Sequence, residues 1–131
     1  MKLYGNAIIV GEEFLKKNPE AVKAFLRAFS AGMKDVVGDL KGSIATVKAR
    51  DGIINEELET RRLKLALDAT VLTPDAKAEG FGETKSARLA LMASQVSDAF
   101  ATKERVSPTA VWRDGLLPPA ADRNIFKVPR K

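Results

Sequence analysis

Only one short segment of this chain has the composition of a β-strand. The run from Ala7 to Val10 is rich in β-branched residues and is bounded by Gly5 and Asn6 on one side and Gly11 on the other. An unpaired apolar strand leaves a row of backbone groups open and seeks the edge of a sheet. The remaining apolar residues follow helical spacing, so the predicted fold class is mainly α with one short strand.

The most regular helical pattern follows this strand candidate. Asn18-Pro19-Glu20 supplies a capping side chain, a proline at the first helical position and an acid in the first turn. Apolar residues then recur in steps of three, four and seven up to Gly38, namely Val22, Phe25, Leu26, Phe29, Met33, Val36 and Val37. The pattern predicts a long helix from Pro19 whose apolar stripe packs in a core, preceded by a short helix over Glu12 to Lys17.

The rest of the chain is predicted to be helical with an irregular end, and residues 1–131 are expected to form a single domain. A helix over about residues 56–72 carries apolar residues on two opposite sides, so we expect it to be covered on both flanks. The other predicted features are a cap at Asp39 before a helix with Ile44 and Val47, a cap at Asn55, an interruption at Thr73-Pro74-Asp75, a loop at Gly80-Phe81-Gly82, a helix over about 84–101, a short helix opened by Ser107-Pro108 and ended by Gly115, and turns around Pro118-Pro119.

The chain contains neither Cys nor His. This excludes disulfides, thiolate nucleophiles, Cys/His zinc sites and Ser-His-Asp catalysis. Glu56, Glu57 and Glu59 are explained by the dipole of the helix that they begin, and Gly80-x-Gly82 lacks the third glycine of a dinucleotide fingerprint and follows no strand. We therefore predict no catalytic residue, no metal site and no cofactor.

Basic residues outnumber acidic ones by 22 to 17, which gives a net charge of +5. They are mixed with acids and not interleaved with aromatic residues, so a solvated basic tail ending in Arg123, Lys127, Arg130 and Lys131 is preferred over a nucleic-acid site. No nucleic-acid partner is predicted. The longest apolar run, Ala7 to Val10, is far shorter than the roughly 20 residues of a membrane span, and no signal peptide is visible near Met1.

Three features could carry binding. Arg61 and Arg62 could hold an anion, although neighbours on a helix diverge by about 100° and are better explained as pointing to solvent and to Glu57 or Glu59. The single Trp112 is better explained as an anchor for the C-terminal segment than as a ligand stacker. Tyr4, just ahead of the strand candidate, is the most suggestive polar aromatic residue.

Two stretches, Tyr4 to Val10 and Glu13 to Ala28, resemble the solute-binding proteins of ABC importers, in particular the nitrate/sulfonate/taurine and thiamine-pyrimidine-precursor binders. The resemblance lies in an aromatic-Gly pair, a strand, a short helix and a helix that starts at Asn18-Pro19. The start at Val106-Ser107-Pro108 and the run Leu116-Leu117-Pro118 are similar to the C-terminal end of that family.

The resemblance implies a fragment of the type II periplasmic-binding-protein α/β fold that acts as a binding component and not as an enzyme. Such proteins hold a small solute between two lobes, and this chain matches only the C-terminal, mainly helical portion, so the parent is expected to act in the periplasm with an ABC permease as partner. Tyr4, Gly5 and Asn6 match the crossover between lobes and are the only residues assigned to hinge or ligand binding. The ligand itself stays open among a sulfonate, nitrate, a pyrimidine precursor and aromatic acids.

Two alternatives remain at this point. The pyrimidine-precursor synthases share the fold, but the resemblance implies that they consume an active-site His, so this chain would be an inactive relative. A free-standing helical interaction module is the other alternative. For the isolated chain we expect a homodimer or a strand-swapped oligomer, because the strand at Ala7 to Val10 has no sheet to join.

Overall fold

The computed structural model describes residues 4–126, and within that range the chain is helical. The helices are α1 (Glu12–Lys17), α2 (Pro19–Gly38), α3 (Leu40–Lys48), α4 (Glu56–Ala66), α5 (Pro74–Glu79), α6 (Ser86–Ala99) and α7 (Pro108–Val111). A π-helical turn over Leu67–Val71 continues α4, and a 3-10 turn covers Asp114–Leu116. The prediction of a mainly α chain is confirmed.

The predicted strand at Ala7 to Val10 is wrong for this chain. Residues 7–10 have no regular secondary structure, and no strand forms anywhere between residues 4 and 126. Ile9 is 92% exposed and Ile8 is 45% exposed. A strand needs a neighbour to accept its ladder of hydrogen bonds, and every other element that the structure describes is a helix or a turn.

Local capping chemistry explains where several helices begin. Asp39 accepts a hydrogen bond from the backbone N of Gly42 at 2.9 Å, and Asn55 accepts one from Leu58 at 3.0 Å, so both predicted caps are confirmed. Asn18 does not cap α2 with its side chain. Its backbone N donates to the carbonyl of Phe14 at 2.8 Å and ends α1, while Pro19 opens α2.

The helix predicted over about residues 56–72 changes its winding near its end. The backbone N of Leu72 donates to the carbonyl of Leu67 at 2.7 Å, which is the spacing of a π-helical turn. Leu67 at the start of this turn is 4% exposed. The expected interruption at Thr73-Pro74 instead caps an unpredicted helix, because the Thr73 hydroxyl accepts from the backbone N of Ala76 at 3.2 Å.

The two C-terminal helical predictions are confirmed with shorter bounds than expected. Helix α6 ends at Ala99, and α7 ends at Val111. Gly115 does not end α7 as predicted but lies inside the 3-10 turn. No helix among residues 4–126 combines the length and the apolar character needed to cross a lipid bilayer.

The buried core is small for a chain of this length. Among the described residues, the buried apolar side chains are those of Val22, Ile44, Leu67 and Ile125. A compact monomer of 14.2 kDa would expose about 6,800 Å² of surface, whereas this chain exposes 9733 Å². The helices pack mainly on their neighbours in sequence, with α2 on α3, α3 on α4 and α6 on α7. The excess surface is therefore about 3,000 Å².

Arg123 joins the C-terminal segment to the loop after α5. Its Nε donates to the Pro118 carbonyl at 2.7 Å, one terminal nitrogen donates to the Phe81 carbonyl at 3.0 Å, and the other pairs with Glu83 at 2.6 Å. The backbone N of Phe81 returns a hydrogen bond to the Arg123 carbonyl at 3.0 Å. We call this set of contacts the Arg123 clasp.

The clasp also explains the glycine at position 80. Gly80 has a φ of +93°, and a Cβ there would lie 3.3 Å from the Ala120 carbonyl oxygen and 3.2 Å from a terminal nitrogen of Arg123. A side chain at this position would be strained in its backbone and crowded by the clasp. The predicted loop at Gly80-Phe81-Gly82 is therefore confirmed as a tight connection.

Candidate functional site

Tyr4 is fixed by three contacts with the start of α6. Its hydroxyl accepts a hydrogen bond from the backbone N of Lys85 at 2.7 Å, and its own backbone N donates to Sδ of Met92 at 3.1 Å. The guanidinium carbon of Arg88 lies 4.1 Å from the centre of the Tyr4 ring, which is a cation-π geometry. The residue is half-buried. The N-terminal segment, residues 4–11, is thus fastened to a helix about 80 residues away in the chain.

Acidic residues of α5 form ion pairs with basic residues at the start of α6, next to Tyr4. Lys85 Nζ lies 2.8 Å from Asp75 Oδ1 and 3.5 Å from Glu79 Oε1, and Arg88 lies 3.6 Å from Asp75 Oδ2. The hydrogen bond to Asp75, with the attraction of Asp75 and then of Glu79, raises the pKa of Lys85. Lys85 therefore stays charged at neutral pH, and the pairing of α5 with α6 persists there.

The structure places the other two predicted site residues differently from Tyr4. Gly5 and Asn6 are exposed, and a Cβ built on Gly5 would meet nothing within 4 Å. Tyr4 is therefore the anchored end of an open segment. The Tyr4 hydroxyl oxygen accepts the hydrogen bond from the Lys85 backbone N. The hydroxyl can therefore still donate its own proton to a hydrogen-bond acceptor. The assignment of Tyr4, Gly5 and Asn6 to a hinge or to ligand binding stays a prediction.

Replacing Tyr4 with phenylalanine should lower the free energy of unfolding by about 0.5–1 kcal/mol, because one hydrogen bond to Lys85 is lost while the ring stays over Arg88. Tyr4→Leu removes both contacts and should lower it further, since a cation-π contact at an exposed site adds about 0.5–1 kcal/mol. Urea unfolding followed by circular dichroism measures both. Equal stability of all three proteins would show that this anchor does not hold in solution.

The arginine pair does not form a clamp. Arg62 pairs with Glu59 at 2.8 Å, and Arg61 is exposed. This fits the prediction that the two residues point to solvent and to a glutamate. No further group among the described residues converges with them to bind an anion. In the part of the chain that the structure describes, no three carboxylates gather in a way that could hold a metal ion.

Trp112 lies between α7 and the start of α6. It lines a cleft of about 140 Å³ with Thr84, Ser86, Leu89, Pro108 and Thr109. The indole is half-buried, and its ring N–H is buried without a hydrogen-bond partner among the described residues. This placement agrees with the expectation that Trp112 anchors the C-terminal segment.

Two features escaped the sequence reasoning. A cleft of about 280 Å³ lies where α2 ends and the π-helical turn begins, and Val37, Leu40, Leu67 and Asp68 contribute to its walls. No local pattern marks a π-helical turn.

Arg123 was expected in a solvated basic tail. This prediction is wrong, because Arg123 is 5% exposed and makes the clasp. Lys127, Arg130 and Lys131 lie outside the described residues.

Comparison with known proteins gives one partial match. A family model described as NMT1/THI5 like matches residues 1–39, which is less than a third of the chain. The match covers the N-terminal segment, α1 and α2, and so includes Tyr4, Gly5 and Asn6. No curated protein and no solved structure matches the chain.

Proposed function

We propose that this chain is the helical part of the solute-binding component of an ABC-type importer, and that it acts by binding and not by catalysis. The observation that carries the proposal is the NMT1/THI5-like match over residues 1–39. It overlaps the residues on which the resemblance to solute-binding proteins rests. The solute would be a small anionic or heterocyclic organic molecule, and an ABC permease would be the partner of the whole receptor in the periplasm.

The N-terminal segment supports a hinge at Tyr4, Gly5 and Asn6. Tyr4 is held by α6, whereas Gly5 and Asn6 are exposed and free of crowding. A hinge needs a fixed end followed by residues whose backbone angles can change. The exposed Ile8 and Ile9 that follow would then join a sheet in the receptor, which would bury side chains that are open in this chain.

The absence of Cys and His from the sequence supports binding over catalysis. Acyl transfer through Ser-His-Asp or Cys-His groups is excluded by composition, and a synthase that consumes its own His has no residue to consume here. A receptor that closes around a solute needs only hydrogen-bond donors, apolar walls and a hinge.

The experiment that tests the proposal begins with the reading frame around this sequence. If it encodes strand-forming segments for a two-lobe receptor, the encoded protein is titrated calorimetrically with taurine, nitrate, a pyrimidine precursor of thiamine and benzoate as an aromatic acid. We expect one of these to bind saturably, and Tyr4→Ala to weaken it at least about tenfold. Arg61→Ala, an exposed residue away from Tyr4, is the matched control and should leave binding unchanged.

Two results would contradict the proposal. One is a reading frame that holds no further sheet-forming segment, which would favour a free-standing helical interaction module. The other is a complete two-lobe protein that binds none of the four solute classes.

A further inference from the structure

A single carboxylate of α5 contacts both residues that hold Tyr4. Asp75 Oδ1 lies 2.8 Å from Lys85 Nζ, and Asp75 Oδ2 lies 3.6 Å from a terminal nitrogen of Arg88. Lys85 holds the Tyr4 hydroxyl through its backbone N at 2.7 Å, and the Arg88 guanidinium lies 4.1 Å from the centre of the Tyr4 ring. These four residues therefore form one connected set of contacts from α5 to the N-terminal segment.

Local sequence signals place Asp75 where it can reach both cations. The Thr73 hydroxyl caps α5 and Pro74 takes the first helical position, so Asp75 lies in the first turn. Lys85 and Arg88, at the start of α6, are three positions apart and share one face of the helix. One carboxylate on α5 can therefore contact the two side chains at once.

Ion pairs are a principal tie between α5 and α6. The helix pairs that pack extensively within residues 4–126 do not include α5. Besides the two pairs of Asp75, Glu79 of α5 lies 3.5 Å from Lys85 Nζ. The Arg88 side chain is 25% exposed, against 48% for Lys85, so water screens the pair of Asp75 with Arg88 less than the pairs of Lys85.

We propose that Asp75 is a positioning residue that keeps Tyr4 docked on α6. It does so by holding the Arg88 guanidinium against the Tyr4 ring. Without this carboxylate, two like charges on one helix face would repel each other. The long Arg88 side chain would also have to be fixed in one rotamer with less support. A movement of α5 away from α6 would therefore release residues 4–11.

The docking does not depend on the proposed function, but its consequence for a receptor rests on it. If Tyr4 is the fixed end of the hinge, the position of α5 decides whether that end is held. A simpler role for Asp75 is that of an acid in the first turn of α5, where it stabilises that helix alone. The two roles differ in what happens at α6 when the charge is removed.

The backbone N–H of Lys85 reports directly on the docking. The N–H groups at the start of a helix have no partner within the helix, and this one donates to the Tyr4 hydroxyl. Amide hydrogen exchange of the 131-residue chain, followed by NMR, therefore measures the release of Tyr4 at Lys85. The amide of Leu89 donates to the Lys85 carbonyl at 3.0 Å and measures the opening of α6 itself.

Asp75→Asn keeps the size of the side chain and removes its charge. We expect the Lys85 amide to exchange at least about threefold faster, while the exchange at Leu89 stays within about 1.5-fold of the wild type. Tyr4→Phe removes the acceptor and gives the rate at full release. Asp75→Glu keeps the charge and should restore slow exchange. Glu79→Gln, the matched control, removes the other carboxylate at Lys85 and should change the rate by less than about 1.5-fold.

Arg88→Gln covers the case in which Asp75→Asn disturbs α5. It should also speed the exchange at Lys85 at least about threefold. The amide of Lys77, which donates to the Thr73 carbonyl at 3.0 Å within α5, should be unaffected. When Asp75→Asn is added to Arg88→Gln, we expect a further change of less than about twofold, because the residue through which Asp75 acts is already gone.

Four results would overturn the proposal. The first is an unchanged Lys85 exchange rate in Asp75→Asn, and the second is an equal acceleration at Lys85 and Leu89, which would be fraying of α6. The third is an equal effect of Glu79→Gln. The fourth is an effect of Asp75→Asn that persists in full when Arg88 is replaced. No solute is present in these measurements, so a failed solute titration would leave their result standing.

Discussion

Replacing Arg123 with alanine is expected to lower the free energy of unfolding by about 3 kcal/mol. The side chain is 6% exposed and donates to the carbonyls of Pro118 and Phe81 as well as to Glu83. Its loss leaves two backbone carbonyls and a carboxylate without their donor, which is costlier than the loss of the pair itself. Urea unfolding measured by circular dichroism gives the change.

The matched control for this prediction is Arg105→Ala. Arg105 also makes an ion pair and a hydrogen bond, to Asp98 at 2.8 Å and to Ser94 at 2.6 Å, but its side chain is 68% exposed. We expect a change of at most about 1 kcal/mol. If the two variants lose the same stability, the C-terminal segment is not clasped in solution.

Ile125→Ala is expected to lower the free energy of unfolding by about 3 kcal/mol as well. Ile125 is 0% exposed and is the largest fully buried side chain among the described residues. Truncating it removes buried apolar surface and leaves a cavity, for which isoleucine-to-alanine changes cost about 2–5 kcal/mol. The same urea experiment measures it, with the slope of the transition checked against the wild type.

Ile53→Ala is the control for the second prediction. Ile53 is 92% exposed, so the same substitution removes surface that water already reaches. We expect its effect to stay within about 0.5 kcal/mol. An Ile125→Ala protein as stable as Ile53→Ala would mean that the segment from Pro118 to Phe126 does not pack as described.

The helices were predictable because their signals are local. Asp39 and Asn55 reach only three residues along the chain to their capped N–H groups, and Pro19 fixes the backbone angle at the start of α2 by itself. A local pattern also led to the wrong prediction of a strand at Ala7 to Val10. Its composition favours a strand, but composition cannot supply the neighbouring strand with which a sheet would form, and residues 7–10 have no regular secondary structure.

The clasp and the Tyr4 anchor could not be predicted from the sequence. Arg123 finds Phe81 and Glu83 at separations of 42 and 40 residues, and Tyr4 finds Lys85 at a separation of 81. Nothing near Arg123 in the chain distinguishes it from the basic residues that follow it. The sequence marks Tyr4 as an aromatic residue beside Gly5, but it gives no sign that α6 would hold this residue. The roles of Gly5 and Asn6 remain predictions.

The separation within the clasp has a consequence for how the protein is made. The ribosome releases the loop at residues 80–83 before it has added Arg123, so during translation the Phe81 carbonyl and the Glu83 carboxylate have only water as a partner. Nascent chains fold from the N-terminus as they emerge, so α5 and α6 are complete well before the clasp can close. A chain that stops before Arg123 would keep α1 to α7 and lose the clasp, and we expect proteases to degrade it faster than the 131-residue chain.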